Sequence, residues 1–221
     1  MPERGVYSVL EGSDGVGKST QLELLKQKLD ELEVDAVFTR EPGGTEFGHH
    51  VRNLLLNPNI EILSESTEIA LFTAGRIEQW VGVIEPALNE DKLVVSDRNW
   101  YSTLAYQVAS NPEVEARILA ITELLLPPRY VEPDLALVLQ VSEQERKRRR
   151  DKREEDAGTV ADSFESRNDA YFEKVQRIYD GIPRRMGAVA INADGDERTV
   201  AKAVWSEYRP YLSSVRSKST T

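Results

Sequence analysis

A glycine-rich loop near the start of the chain constrains its fold more than any other feature. Residues 12–20 read GSDGVGKST and fit the pattern G-x-x-x-x-G-K-[ST]. The glycines allow backbone N–H groups to surround a phosphate, and Lys18 adds a positive charge for it. Ser19 offers a hydroxyl to Mg²⁺, and the following helix points its positive end at the same phosphate. The loop therefore predicts a nucleotide-binding site.

The flanking sequence supports this interpretation. Residues 6–10 (VYSVL) form a short apolar, β-prone run that is typical of a buried strand. After the loop, leucines recur at helical spacing, at Leu22, Leu25, Leu29 and Leu32. A strand, the loop and a helix in this order are the setting in which this motif binds phosphate. The alternative interpretation of residues 12–20 is a glycine-rich turn that binds no ligand.

Helix and strand patterns alternate along the rest of the chain. Further β-prone runs cover residues 36–39, 93–96, 135–141 and 188–191, with helical segments between them. This alternation predicts an α/β fold with a mostly parallel sheet flanked by helices. At 221 residues the chain has room for one domain, or for a domain with a lid.

Composition narrows the range of functions. The chain has no cysteine, which excludes disulfides, thiolate catalysis and cysteine metal sites. No run approaches the ~20 apolar residues that cross a bilayer, and residues 1–4 do not resemble the start of a signal peptide. The net charge of −10 argues against general nucleic-acid binding. We therefore expect a cytoplasmic protein with neither a membrane nor a nucleic acid as partner.

Charged side chains follow two of the predicted strands. Arg40 comes after the run 36–39, and Asp97 and Arg98 come after the run 93–96. Open α/β sheets bind their ligands at the carboxyl ends of the strands. An acid in the position of Asp97 is typical of the second carboxylate that holds Mg²⁺, usually through water, in enzymes with this loop. A local pair between Arg40 and Glu41 is the alternative for that arginine.

Two helical segments carry candidate ligand residues. Phe72 and Arg76 lie four residues apart and share a helix face, where a ring can stack on a nucleobase and a guanidinium can bond its carbonyl. A plain core role for Phe72 is the alternative. The second segment has two polar pairs at the same spacing, Ser102 with Tyr106 and Thr103 with Gln107. These pairs suit a small-molecule pocket, although ordinary polar positions at the start of a helix have the same pattern.

The densest charge in the chain covers residues 145–156 (ERKRRRDKREED). Three interpretations compete: a solvated helix face with Glu/Arg pairs, a nucleic-acid patch, and a basic lid over the phosphates of a nucleotide. Acids at both ends of the run weaken the nucleic-acid interpretation. Residues 157–159 (AGT) indicate a hinge after the run.

Four motifs together resemble the thymidylate kinase (dTMP kinase) family, in its order and spacing, over almost the whole chain. They are EGSDGVGKST at residues 11–20, TREPGGT at 39–45, LFTAGR at 71–76, and DR followed by STLAYQ within 97–107. The resemblance implies a P-loop nucleoside monophosphate kinase fold with a five-stranded parallel sheet and a short lid. It implies a single domain over residues 1–212, with the lid at about 147–163, and we expect a disordered tail at 213–221. It also implies a homodimer and a cis peptide bond between Glu41 and Pro42.

The resemblance implies direct in-line phosphorylation of dTMP to dTDP by Mg·ATP, a step of dTTP synthesis for DNA replication. The implied dTMP-binding residues are Asp14, Arg40, Phe72, Arg76, Arg98, Ser102, Thr103, Tyr106 and Gln107. The implied ATP-binding residues are Gly12, Ser13, Asp14, Gly15, Val16, Gly17, Lys18, Ser19 and Thr20, with Ser19 and Asp97 as residues for Mg²⁺. The implied catalytic residues are Asp14, Lys18, Arg98 and the lid arginines Arg149, Arg150 and Arg153. Lid arginines are expected because this chain, like the bacterial type, has no arginine in its loop.

Two alternatives remain at this point. One is a kinase that prefers another monophosphate, such as dUMP. The other, from a different class, is a P-loop switch or motor ATPase that acts on a protein or a nucleic acid. A GTPase switch is disfavoured because the sequence has no Asn-Lys-x-Asp motif for reading guanine.

Overall fold

The fold is built on one parallel sheet of five strands in the order β2-β3-β1-β4-β5. The computed structural model describes residues 5–57, 64–146, 148–149 and 169–218. The strands are β1 (Val6–Glu11), β2 (Ala36–Arg40), β3 (Leu93–Asp97), β4 (Leu135–Gln140) and β5 (Val189–Asn192). The α/β class and the five-stranded parallel sheet expected from the sequence are confirmed.

Helices connect the strands and cover both faces of the sheet. They are α1 (Lys18–Glu31), α2 (Glu46–Leu56), α3 (Glu65–Gln79), α4 (Glu85–Asn89), α5 (Trp100–Ser110), α6 (Glu115–Leu125), α7 (Pro128–Val131), α8 (residues 143–146 and 148–149), α9 (Asp169–Met186) and α10 (Glu197–Tyr208). A π-helical turn, Trp80–Ile84, joins α3 to α4, and short 3₁₀ turns precede α6 and follow α10. Among the described helices, none is both long and apolar enough to cross a bilayer.

The sheet separates two apolar cores. Tyr7 and Val9 of β1 face a core that includes α3, α5, α6 and α9. Val6 and Leu10 face the opposite core, against α1 and α10. All six residues of β1 are buried, because both faces of the strand are covered. This explains why the strand sequences read as continuous apolar runs rather than as alternating patterns.

The strand register brings the candidate charged residues to one edge of the sheet. Leu10 of β1 is aligned with Asp97 of β3, and Asp97 is aligned with Arg40 of β2. The glycine-rich loop follows β1 directly, so it begins beside the ends of both neighbouring strands. The peptide bond between Glu41 and Pro42 is cis, as the family resemblance implied.

The expected lid, at about residues 147–163, lies outside the described residues except for 148 and 149, which continue α8. Arg150 and Arg153 are therefore outside the described part of the chain, and their assignment stays a prediction.

Residues 213–218 of the expected disordered tail lie within the described part of the chain, and the last of them make backbone contacts. The backbone of Arg216 accepts a hydrogen bond from Asp35 (3.0 Å) and donates one to Asp91 (2.7 Å). Ser217 forms an antiparallel bridge with Val34. The polar composition of the tail suggested solvation, but backbone hydrogen bonds do not depend on side-chain polarity. Residues 219–221 lie outside the described residues.

We predict that deletion of residues 215–221 lowers the free energy of unfolding by about 1–3 kcal/mol, because it removes hydrogen bonds that satisfy the backbone beside β2 and β3. Urea denaturation of the two proteins measures this difference. The matched control is Lys218→Ala, which keeps the backbone but removes the exposed side chain that pairs with Asp30, and it should cost less than about 1 kcal/mol. Equal stability of the truncated and full-length chains would contradict the prediction.

Candidate active site

The glycine-rich loop has the backbone conformation that its sequence predicted. Gly12, Gly15 and Gly17 have φ values of 140°, 80° and 101°, which side chains disfavour. A Cβ at Gly12 would lie 2.7 Å from the carbonyl oxygen of Leu139, so the position also requires glycine for space. Gly17 is the N-cap of α1, and no side chain of the described residues caps that helix. The first N–H groups of α1 are thus available to an anion.

Lys18 is folded onto the loop. Its ammonium donates hydrogen bonds to the carbonyl oxygens of Gly12 (2.8 Å) and Ser13 (3.0 Å). Burial, together with the nearby charge of Arg98, lowers the pKa of Lys18 to about 8. A phosphate in the loop would stabilise the charged form of this lysine.

Arg98 lies at the centre of a network that joins the loop to two helices. Its Nη1 donates to the carbonyl oxygen of Gly12 (3.1 Å), to Ser102 Oγ (3.0 Å) and to the hydroxyl of Tyr179 (3.0 Å). Its Nη2 forms an ion pair with Asp14 Oδ1 at 2.5 Å. The arginine also has a left-handed backbone, with φ 77°. Backbone strain of this kind persists where the surrounding structure holds it, and such residues cluster at functional sites.

Tyr106 completes the surroundings of Asp14. Its hydroxyl donates to Asp14 Oδ2 (2.5 Å), and its ring lies under the Arg98 guanidinium, 5.4 Å from centroid to Cζ. Burial raises the pKa of Tyr106 well above its ordinary value, so the hydroxyl stays protonated as a donor.

Sequence reasoning missed Glu11 as a functional residue. Its fully buried carboxylate accepts hydrogen bonds from the backbone N–H groups of Asn99 (2.8 Å) and Ser102 (3.1 Å), which open α5. It also accepts one from the hydroxyl of Tyr179 (2.9 Å). The available signal was an acid that ends an otherwise apolar strand directly before the loop.

A second cluster lies on α3 and α5. Arg76 is buried and donates from Nε to Glu41 (2.8 Å) and from Nη2 to Thr103 Oγ1 (2.6 Å). The guanidinium lies 5.6 Å from the ring centroid of Phe72. Glu41 also accepts a hydrogen bond from the hydroxyl of Tyr130. Burial raises the pKa of Glu41, and its two partners oppose that shift.

Most of the expected site residues line one cleft of about 760 Å³. They are Asp14, Gly15, Gly17, Lys18, Ser19, Thr20, Arg40, Phe72, Arg76, Asp97, Arg98, Ser102, Thr103 and Tyr106. Gln107 is not among the lining residues, because its amide donates to Glu68 of α3 at 2.7 Å. This hydrogen bond joins α5 to α3, and the expected contact of Gln107 with a base stays a prediction.

A second cleft, of about 860 Å³, opens on the other side of the loop. Arg149 lines it and donates hydrogen bonds to the carbonyl oxygens of Val16 (2.8 Å) and Ala193 (2.7 Å). Gly15, Gly17 and Thr20 line both clefts. The two clefts thus meet at the glycine-rich loop, where two bound molecules would bring their phosphates together.

The residues expected to hold Mg²⁺ fit a hydrated ion. Asp97 Oδ1 is buried and has no hydrogen-bond partner among the described residues. Ser19 and Asp97 line the same cleft. The described residues contain no group of three or more His, Cys, Asp or Glu side chains that could hold a metal. Mg²⁺ needs no such cage, since it keeps several waters and takes its other ligands from few side chains and from phosphate oxygens.

The sheet order, the loop and the two clefts define the class of enzyme to which this fold belongs. The arrangement is that of a P-loop kinase that phosphorylates a nucleoside monophosphate. Comparison with known proteins gives the particular family. The family model for thymidylate kinase matches residues 10–204, and the chain belongs to this family.

Individual relatives agree with the family model. A thymidylate kinase of Afipia carboxidovorans is 37% identical over 96% of this chain and 92% of its own. A thymidylate kinase of Symbiobacterium thermophilum is 38% identical over 87% and 88% of the two chains. The crystal structure of thymidylate kinase from Ehrlichia chaffeensis superposes with a TM-score of 0.71 at 27% identity, and covers 92% of this chain and 98% of that one.

We predict that the affinity of the loop for Mg·ADP falls as the pH rises above 8. Only protonated Lys18 attracts the phosphates, and its pKa of about 8 in the free protein means that this form dominates below pH 8 and is lost above it. Between pH 8.5 and 9.5 the Kd should increase with pH, with a slope that approaches about tenfold per pH unit. Calorimetric titration at several pH values measures it.

The matched control for this pH dependence is Lys18→Arg, which keeps its charge throughout the range. Its Kd for Mg·ADP should be higher than that of the unmodified protein at every pH, but it should stay constant between pH 7.5 and 9.5. A flat profile in the unmodified protein would contradict the role of Lys18 titration.

Proposed function

We propose that this protein transfers the γ-phosphoryl group of Mg·ATP directly to dTMP, giving dTDP and ADP, in the cytoplasm. The observation that carries the proposal is the meeting of two clefts at one phosphate-binding loop. ATP would occupy the cleft beside Arg149, with its phosphates in the loop. dTMP would occupy the cleft lined by Arg98, with its phosphate turned towards the same loop.

The acceptor cleft has groups suited to each part of dTMP. Arg40 and Arg98 supply positive charge for its phosphate. Phe72 offers a ring face for stacking on thymine. Among the described residues Arg76 donates to protein from Nε and Nη2, so Nη1 would serve a carbonyl oxygen of the base. Tyr106 lies where its ring would pack on the sugar and disfavour a ribose 2′-hydroxyl.

The transfer needs electrostatic stabilisation rather than a general base. A phosphate monoester has its second pKa near 6, so the acceptor is mostly dianionic at neutral pH. The protein has to bring two polyanions together and balance the charge that spreads over the moving group. Lys18 and Arg98 supply this charge, joined by Arg149 at the edge of the loop. Mg²⁺, held by Ser19 and through water by Asp97, would neutralise further phosphate charge when bound.

The pair between Arg98 and Asp14 suggests how dTMP enters. In the free protein Asp14 is the counter-ion of Arg98 Nη2. The acceptor phosphate would replace Asp14 at Arg98, and the freed carboxylate would turn to the 3′-hydroxyl of the sugar. Closure of a lid over the site would exclude water and so prevent hydrolysis of ATP.

We predict that dTMP stimulates ADP release from Mg·ATP at least tenfold more than dUMP, TMP (ribo), dCMP, dGMP, AMP or single-stranded DNA does, because the base and sugar contacts select for it. A coupled assay with each acceptor in parallel measures this. Lys18→Ala is the control and should reduce turnover by orders of magnitude.

Other outcomes of the same assay are informative. A lead for dCMP, dGMP or AMP would leave the phosphate chemistry intact but contradict the roles of Phe72 and Arg76 in reading the base. A lead for TMP (ribo) would contradict the role of Tyr106 at the sugar. Stimulation by single-stranded DNA alone would contradict the kinase proposal and favour a motor ATPase.

We also propose a homodimer formed through α2. Phe47 and Leu54 lie seven residues apart on one face of α2 and are 45% and 46% exposed. Val81, in the π-helical turn between α3 and α4, is 58% exposed. Exposed apolar side chains that share a helix face, as Phe47 and Leu54 do, favour a protein interface.

We predict that Leu54→Glu converts a dimer into a monomer, because it places a charge in the apolar contact. Sedimentation velocity measures the change. Leu124→Glu is the matched control, since Leu124 is 79% exposed on a different helix, α6, and its variant should remain dimeric. A monomeric unmodified protein would contradict the proposal.

A further inference from the structure

Helix α9 places a fully buried hydroxyl at the centre of the Arg98 network. The Tyr179 hydroxyl accepts from Arg98 Nη1 at 3.0 Å and donates to Glu11 Oε2 at 2.9 Å. It also lies 2.8 Å from Ser102 Oγ. Tyr179 does not line the acceptor cleft, so it has no direct route to a substrate. Within the described part of the chain, the hydrogen bonds of its hydroxyl go to Arg98 itself and to residues beside it.

The hydrogen bonds of Tyr179 help to fix the orientation of the Arg98 guanidinium. Nη1 donates to three oxygen acceptors, on Gly12, Ser102 and Tyr179, and these hydrogen bonds set the direction of the guanidinium. Nη2 is left on the side of Asp14, where the acceptor phosphate is proposed to bind. Burial raises the pKa of Tyr179 well above its ordinary value, so the hydroxyl keeps its proton for Glu11.

Gln176 lies one helical turn before Tyr179 and contacts the other half of the site. Its Oε1 accepts a hydrogen bond from Ser13 Oγ at 2.6 Å, and its Nε2 donates to Asp180 at 2.8 Å. Ser13 belongs to the glycine-rich loop, and its carbonyl oxygen accepts from Lys18 Nζ. Gln176 therefore holds the part of the loop on which the lysine rests.

We propose that α9 carries one positioning residue for each substrate: Tyr179 orients Arg98 for the acceptor phosphate, and Gln176 holds Ser13, and through it the loop, for the donor phosphates. The inference rests on the proposed function, which assigns the acceptor phosphate to Arg98 and the donor phosphates to the loop. Neither side chain is a catalytic residue, because each acts through another residue.

The test compares two variants on the same helix. Tyr179→Phe removes only the hydroxyl, and Gln176→Met keeps the volume but removes the acceptor for Ser13. Calorimetry gives the Kd for dTMP and the Kd for Mg·ADP of each variant. For Tyr179→Phe we expect the Kd for dTMP to rise about tenfold and the Kd for Mg·ADP to stay within about twofold. For Gln176→Met we expect the reverse.

The opposite selectivity of the two variants separates positioning from mere structural support. If α9 only stabilised the fold, both variants would weaken both ligands together, and that result would overturn the inference. Tyr208→Phe is the matched control, because its buried hydroxyl bonds only Ser8 among the described residues, in the opposite core. It should leave both Kd values unchanged.

A double-variant cycle tests whether Tyr179 acts through Arg98. In the background of Arg98→Met, the further change Tyr179→Phe should leave the Kd for dTMP unchanged within about twofold, since no guanidinium remains to be oriented. An additional tenfold loss in that background would overturn the inference.

The same cycle distinguishes failure of the inference from failure of the proposed function. If Arg98→Met does not weaken dTMP, the assignment of Arg98 to the acceptor phosphate is wrong, and the inference fails with it. If Arg98→Met weakens dTMP and Tyr179→Phe does not, the proposed function stands and the positioning role of Tyr179 is overturned.

Discussion

The guanidinium of Arg98 has to be compensated before any phosphate reaches the cleft, and much of the site follows from that requirement. Its side chain is only 15% exposed, and a cation so far from water needs partners within the protein. They come from the glycine-rich loop, from α5 and from α9. One buried charge therefore joins three segments that are distant in sequence and places them around a single point.

The parallel sheet makes this convergence possible. The register aligns Leu10 with Asp97 and Asp97 with Arg40, so that three strands end side by side. This part of the site was predictable from sequence, because a buried parallel strand reads as an apolar run and the residue after it lies at the ligand-binding edge. The loop was also predictable, because its glycines indicate backbone conformations with positive φ, and the structure has them. The pairing of Phe72 with Arg76 followed from helical spacing alone.

The parts that could not be predicted depend on contacts between distant segments. Tyr179 and Glu11 are 168 residues apart, and no local pattern relates them. Helical spacing placed Gln107 on the same face as Thr103, but it contains no information about α3, whose Glu68 binds the amide. The backbone contacts of residues 216–218 could not be predicted for another reason: their polar side chains suggested solvation, whereas backbone hydrogen bonds determine where these residues lie.

Three carboxylates balance the arginines of the acceptor cleft, and their burial indicates which one can give way to a substrate. Glu11 is fully buried and accepts from the backbone N–H groups of Gly12, Asn99 and Ser102 as well as from a tyrosine. Glu41 is 5% exposed and held between Arg76 and Tyr130. Removing either from its partners would leave a buried charge unpaired, which is strongly unfavourable. Asp14 is 33% exposed at the mouth of the cleft, so water can solvate it once its arginine has been taken. The difference in exposure thus makes Asp14 the exchangeable counter-ion, while Glu11 and Glu41 keep the arginines in place before and after a phosphate binds.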